Sequence, residues 1–289
     1  VADSDVQHFL ALLHVNHCRL PDLLRLRAKI MIQQIDPLNR VIVAHRGVSG
    51  LFPENTRRAF EASVACGADA IEFDIQITAD EHIVICHDPT LKHYGYPDTR
   101  IGSSTLEQLQ SVDIGRSAGR QFSGVRLLTL PELLQDFGSR IPMYVEFKTK
   151  HMVADQIDAL IDGFLRQTAV GQENWNLHAL CFDKTVLGQL HEKAAWLPLV
   201  WNTNKPHLIR ITDLTEQPWL AAVGCRIGHL TQQTAKLIDE AGLRLFSFTC
   251  NDEADVLKAV ALGTDSVITD DPEKTRRILA GEQAVAPVP

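Results

Sequence analysis

The sequence predicts an α/β chain closed into a (β/α)8 barrel and preceded by an N-terminal helical extension, and three observations predict it. From residue 41 onward, short apolar runs alternate with amphipathic stretches, the order of parallel strands joined by crossover helices. The alternation covers about 240 residues, close to the ~250 of a closed eight-fold barrel. No G-x-G-x-x-G turn follows the first strand, so a doubly wound open sheet lacks its usual signature.

Residues 1–40 differ from the rest. Apolar positions at Phe9, Leu10, Leu13, Leu20, Leu23, Leu24, Ile30 and Ile35 predict two short helices, broken at Pro21 and ended near Pro37. They read as a cap packed on one barrel end, with a dimer contact (hence a homodimer) or a membrane-surface helix as the alternatives. Residues 41–280 form the barrel. Its strands are expected at 41–45, 70–78, 83–87, 143–148, 178–182, 199–202, 223–227, 243–249 and 266–269. That is one run too many for an eight-fold barrel, so one of them is expected to be a hairpin partner or an extra element. Helices are expected at 56–66, 105–112, 153–168, 184–194, 231–241 and 253–262, several ending at a Gly suited to the left-handed cap: Gly67, Gly242 and Gly263. The Gly-, Ser-, Asp- and Arg-rich segment 91–124 reads as an excursion on a barrel loop facing the active site. Residues 281–289 read as a flexible tail.

Composition narrows the function classes. The 289 residues are 45 % hydrophobic, enough for a large core, and the formal net charge is −8. With no dense Lys/Arg cluster, a nucleic-acid surface is not expected, since that requires concentrated positive charge. The six cysteines are scattered without a C-x-x-C pair, which fits neither a zinc knuckle nor a disulfide scaffold and suggests a reducing, cytoplasmic setting. The chain begins at Val1, which leaves an upstream segment open. No apolar run nears the ~20 residues of a membrane-spanning helix.

The stretch 70–78 carries the most chemistry. As a strand it sends Ile71, Phe73, Ile75 and Ile77 to one face and Glu72, Asp74 and Gln76 to the other. The apolar face suits the surrounding helices, so the carboxylates must point into the barrel near its mouth. In 143–148 the same alternation turns Glu146 and Lys148 inward. Three converging carboxylates call for a hard cation, Mg2+ or Ca2+. Alternatively, Glu146 and Lys148 join Asp74 in an internal ion-pair network. His45 and His87 each close a predicted strand, and strand C-termini ring the catalytic face of a barrel. Two histidines there can serve as acid and base near neutral pH. His82, His151, His178, His207 and His229 have no such neighbours and read as surface or structural. Arg46 and Lys148 offer cations to a phosphoryl oxygen. Thr56 reads as a helix cap, as could Asn55, whereas Glu54 sits on the loop above His45.

His45-Arg46-Gly47, Pro53-Glu54-Asn55-Thr56, Glu72-x-Asp74, His87-Asp88 and Glu146-x-Lys148, in this order, resemble the motif set of the glycerophosphodiester phosphodiesterases. Thr249-Cys250-Asn251 and the Asp265-to-Pro272 segment resemble that family's last two strand ends. The resemblance covers roughly residues 41–280. It implies a TIM barrel that hydrolyses glycerophosphodiesters to sn-glycerol 3-phosphate and an alcohol. It also implies that Glu72, Asp74 and Glu146 hold one divalent metal, Mg2+ or Ca2+, and that His45 and His87 are general base and general acid. Arg46 would contact phosphate, Lys148 stabilise charge, and Glu54 stand between metal and substrate hydroxyl. The sequence departs from the family after His87-Asp88, where Leu91-Lys92-His93-Tyr94 replaces a Thr-bearing run, and at Phe248, where Trp is usual. Both changes fall on the substrate-facing rim. The nucleophile is either water or the substrate's own 2-hydroxyl.

Two rival readings stand beside this one. The apolar stretch 9–15 and Phe52 would suit cleavage of lysolipids, as by a lysophospholipase D. A non-catalytic phosphodiester-binding barrel would require a broken core position, and none is found.

Overall fold

The computed structural model describes residues 40–169 and 175–281; the expected extension up to residue 39 and the tail beyond 281 lie outside the described residues, as does Cys18. Strands β1 (Val41–His45), β2 (Ala70–Ile77), β4 (Met143–Phe147), β5 (Leu177–Cys181), β6 (Leu199–Thr203), β7 (Leu220–Arg226), β8 (Arg244–Phe248) and β9 (Ser266–Thr269) pair in parallel in chain order. The sheet closes because β1 pairs with both β9 and β2. The surplus strand is β3 (Ile83–Ile85), an antiparallel hairpin partner of β2 that stands outside the ring.

Helices α1 (Arg57–Ala65), α2 (Leu106–Gln110), α3 (Leu130–Phe137), α4 (Ala154–Thr168), α5 (Lys184–Lys193), α6 (Ile211–Thr215), α7 (Gln232–Glu240), α8 (Glu253–Ala261) and α9 (Pro272–Leu279) occupy the connections. Of these, α3, α6 and α9 were not among the expected helices. The first is nonetheless well signalled: Thr129 and Glu132 form a reciprocal capping box around Pro131. Thr56 caps α1, accepting from the amide of Ala59 at 3.3 Å, and Gly67, Gly242 and Gly263 take positive φ just past helix ends, all as expected.

The alternation in β2 sorts as the sequence requires. Ile71, Phe73, Ile75 and Ile77 join the core between barrel and helices, where Phe60 of α1 meets Phe73 and Phe137 edge-on. A second core serves α7, α8 and their strands. Inside the ring, Val41, Val43, Ala70, Tyr144, Leu180, Val200, Ala222, Phe246 and Ile268 fill the lower layers. One step higher on the same inward faces come His45, Glu72, Glu146 and Asn202. The interior thus turns from apolar to ionisable at the C-terminal mouth. The excursion after β3 folds on a small core of its own, including Leu91, Tyr94, Ile101, Leu109 and Ile114.

Candidate active site

A cleft of about 1220 Å³ opens at the C-terminal mouth, and His45, Arg46, His87, Glu146, Lys148 and Phe248 line it. Glu72 and Asp74 lie beneath it, 2 % and 1 % exposed, and Glu146 is 8 % exposed. Each of these three carboxylates can bring one oxygen to within 4.8 Å of the others'. The register explains why: on neighbouring parallel strands, Asp74 stands opposite Glu146 and Glu72 opposite Tyr144.

Two cations are folded into this floor. Lys148 Nζ lies 3.1 Å from Asp74 Oδ1 and also pairs with Glu146. Arg46 bridges Asp74 Oδ2 at 3.2 Å and Glu54 Oε2 at 2.7 Å, while its amide donates to Glu72 Oε2 at 3.1 Å. Glu54 is therefore bound to Arg46. Burial opposes charge on Asp74, but Lys148 and Arg46 prevail and hold its carboxyl well below the ordinary range. Burial likewise opposes charge on both cations, yet Asp74 and its neighbours hold Lys148 and Arg46 above their usual values. Glu72 is the exception. Burial, then Asp74 and Glu146, push its carboxyl well above the ordinary range despite Arg46 and Lys148. Four carboxylates thus face two cations, and the excess negative charge falls where three buried oxygens converge. This all-oxygen donor set fits a hard divalent ion. The ion-pair network and the three converging carboxylates, alternatives from the sequence alone, coexist.

The two histidines do not occupy equivalent strand ends. His45 closes the parallel strand β1. Because β3 runs antiparallel, with Ile85 opposite Ile75 and the Cys86 amide donating to Asp74 O at 3.0 Å, His87 enters the same cleft from the hairpin side. Gln76, inward on β2, secures that segment by donating to the carbonyls of Cys86 and Asp88 at 2.9 and 2.7 Å.

Each histidine has a carboxylate at Nδ1: Asp270 for His45 at 2.6 Å and Asp88 for His87 at 2.7 Å. With Nδ1 the donor to these acceptors, each Nε2 is the nitrogen left for a substrate. Asp270 also receives the Ser49 hydroxyl at 3.0 Å and the Asn251 amide at 2.5 Å. Burial would raise its carboxyl, but these bonds, His45 foremost, hold it below the usual range.

The turn carrying His45 has unusual backbone geometry. Arg46 adopts a φ of 55°, rare for a side-chain-bearing residue, and Gly47 follows at 81°, where a Cβ would lie 2.6 Å from that of Ala59 on α1. Asn55 also has positive φ, 57°, and does not cap the helix. Its amide donates to Asp74 Oδ2 at 2.8 Å, fixing that carboxylate from the loop side. Asn202 does the same for Glu146 at 3.3 Å. Asn202, Asp88 and Asp270 were not assigned roles from sequence. Asn202 has the same inward position on β6 that Glu146 has on β4, and the two aspartates stand in motifs already noted.

The remaining expectations sort cleanly. Phe248 meets Phe182 edge-on at 6.0 Å on the cleft wall. Phe52 is half-buried against Phe122. His151 lines the cleft, and His178 is buried inside the barrel beside Tyr144, so a surface reading fails for it. Cys86, Cys181, Cys225 and Cys250 are buried free thiols and Cys66 is half-buried, as scattered small hydrophobes should be.

Residues 45–274 match the model of the glycerophosphoryl diester phosphodiesterase family. The chain belongs to that family. Among relatives of this phosphodiesterase family member, the glycerophosphodiester phosphodiesterase of Bacillus subtilis (strain 168) is 27 % identical over 260 residues, covering 86 % of this chain and 89 % of the relative. The barrel resembles a crystal structure from Silicibacter pomeroyi DSS-3 with a TM-score of 0.78, at 22 % identity over 88 % of this chain and 97 % of the other. It also resembles an Oleispira antarctica phosphodiesterase in complex with the product sn-glycerol-3-phosphate, with a TM-score of 0.74, 23 % identity, and coverage of 83 % and 96 %. These likenesses establish the fold of this family member as the TIM barrel its sequence predicts. No described helix is long and apolar enough to cross a membrane.

Proposed function

We propose that this phosphodiesterase family member hydrolyses glycerophosphodiesters to sn-glycerol 3-phosphate and an alcohol, with His45 and His87 as general base and general acid. The observation that carries the reading is the joint placement of two carboxylate-backed histidines above three converging buried carboxylates in one cleft. Family membership sets the reaction class.

Glu72, Asp74 and Glu146 would hold one divalent ion, Mg2+ or Ca2+. When bound, the ion supplies positive charge to a phosphoryl oxygen. Arg46 and Lys148, fixed by their carboxylates, present further positive charge where the transition state is most anionic. His45 Nε2 takes the proton of the nucleophile, and Asp270 stabilises the imidazolium that forms. The nucleophile is water, or the substrate's 2-hydroxyl, which gives a cyclic phosphate that water then opens to glycerol 3-phosphate. His87 Nε2 gives a proton to the departing alkoxide, with Asp88 supporting it in the same way. Phe248 forms part of the wall against which the substrate lies.

The test is glycerol 3-phosphate release from glycerophosphoglycerol and glycerophosphocholine with Mg2+, with Ca2+ and with EDTA. Release that requires one of the ions supports the reading, and no release with either contradicts it.

A second reading, cleavage of lysolipids, draws support from Leu51, Val153 and Phe182, large apolar side chains 66 %, 65 % and 40 % exposed on three connections at the mouth. Release of choline from lysophosphatidylcholine micelles faster than from glycerophosphocholine would favour it.

A further inference from the structure

The cleft is chemically two-sided. His45, Glu72, Asp74 and Glu146 come from the adjacent strands β1, β2 and β4. The opposite arc, β5 to β8, offers a different surface. Phe182 and Lys184 follow β5, Trp201 lies on β6, Arg226 ends β7 and Phe248 ends β8, and all line the cleft. Arg226 stands opposite Phe248 in the register, so a guanidinium borders the aromatic wall.

Lys184 is the telling residue. Its Nζ sits 4.5 Å from the centroid of the Trp201 ring and 3.2 Å from Asp213 Oδ1. The Trp201 side chain also packs on both outer hydrophobic cores, so much of its surface is already covered by protein. An open indole face in a phosphodiester cleft would be the natural seat for a quaternary ammonium. Here the protein's own cation takes that seat.

The charge balance of the wall points the same way. Beyond the floor residues Arg46 and Lys148, the cleft is lined by Arg100, Lys150, Lys184 and Arg226. Among the described residues, two acids line the cleft outside the floor: Asp88, paired with His87, and Asp183, which accepts the amide of Thr185 at 2.8 Å, so four cations face two carboxylates. The single acid holding Lys184, Asp213, is shared with Arg210 at 3.3 Å. Among the described residues, Arg100, Lys150 and Arg226 take part in no ion pair. A protein of net charge −8 thus presents positive charge to whatever projects across this cleft from the phosphorus.

We propose that the β5–β8 arc is a subsite for an alcohol that itself carries negative charge, a second phosphate or a carboxylate, and that Lys184 over Trp201 keeps quaternary ammonium head groups out. The proposal rests on the phosphodiesterase reading above and names its substrate class. Lys184 and Arg226 act as specificity determinants: they attract an anionic alcohol and repel a cationic one.

Three diesters that share the glycerophosphoryl group and differ in alcohol charge provide the test: glycerophosphocholine, glycerophosphoglycerol and 1,3-bis(glycerophospho)glycerol. At low ionic strength kcat/KM rises along this series, by about 10-fold or more from end to end. Lys184→Met compresses the series about 5-fold by weakening the anionic diester and improving the choline ester, and Arg226→Gln compresses it in the same sense. Raising salt also narrows it, as screening requires. Choline preference in the wild type, equal rates on all three, or a uniform loss in Lys184→Met would overturn the proposal. Absence of hydrolysis of all three with either metal overturns the phosphodiesterase reading, and the subsite falls with it.

Discussion

His45 Nδ1 lies 2.6 Å from Asp270 Oδ1, joining the ends of the first and last barrel strands across 225 residues of sequence. The contact is possible because β1 and β9 are neighbours only when the barrel closes. It gives His45 a fixed ring orientation and leaves Nε2 toward the cleft.

In the proposed mechanism Asp270 is a positioning residue. Asp270→Asn is expected to lower kcat about 100-fold, within the range attributed to a positioned base, with KM changed by less than about threefold. Steady-state kinetics on a glycerophosphodiester, with thermal melting as a fold control, checks this. Asp270→Glu should recover part of the loss, which a purely structural role would not produce. Since His45 holds the Asp270 carboxyl below the ordinary range, the contact strengthens the fold fully above the unfolded value of about 4. That contribution disappears as pH falls through the lower native value, and it is absent from Asp270→Asn.

Glu72 separates stability from function. Burial and two neighbouring carboxylates disfavour its charge, so Glu72→Gln should raise the melting temperature of the metal-free protein at pH 8. In the proposed metal site the same change replaces a charged carboxylate with a neutral amide oxygen, so Mg2+ or Ca2+ affinity should fall at least about 10-fold. Calorimetric titration and melting in EDTA give the two answers separately.

Lys148 shows the converse. Its ammonium offsets Asp74 and Glu146, so Lys148→Met leaves Glu146 without its cation and Asp74 with Arg46 alone, and should cost about 3 kcal/mol in EDTA. Saturating Mg2+ or Ca2+ should recover a larger share of stability in the variant than in the wild type. Denaturant unfolding with and without metal measures both.

Much of this site is legible in the chain. The strict alternation of 70–77 can be satisfied in a barrel only with Ile and Phe outward and Glu72 and Asp74 inward, and the same holds for Glu146. What is not legible depends on closure or on backbone conformation. The hairpin 83–85 looks like any short buried strand, because periodicity carries no direction, so nothing in it tells that His87 enters the cleft from the hairpin side. Asn55 has the composition of a cap, and only its left-handed φ turns its amide onto Asp74. The pairing of His45 with Asp270 leaves no local signal at all. His178 looks like a polar residue on a strand, and only the barrel's curvature reveals that it fills the interior.

That burial has a pH signature. With Nδ1 unpartnered inside the barrel, His178 stays neutral, its value pushed down to about 4 by burial. Between the ordinary 6.5 and that value the unfolded chain binds a proton that the native state does not, so stability falls on acidification. The loss grows to about 3 kcal/mol near pH 4. In His178→Phe this part of the acid sensitivity should vanish, as denaturant melts from pH 7 to pH 4 would show.

The central claim is that His45 and His87 carry out proton transfer on a phosphodiester above a carboxylate-held ion. The most direct test is single-turnover release of glycerol 3-phosphate from glycerophosphoglycerol, with saturating Mg2+ or Ca2+, in wild type, His45→Ala and His87→Ala. The account predicts metal-dependent release in the wild type and a loss of at least about 100-fold in each variant, with melting and metal affinity preserved. Release at wild-type rates from either folded variant would contradict it.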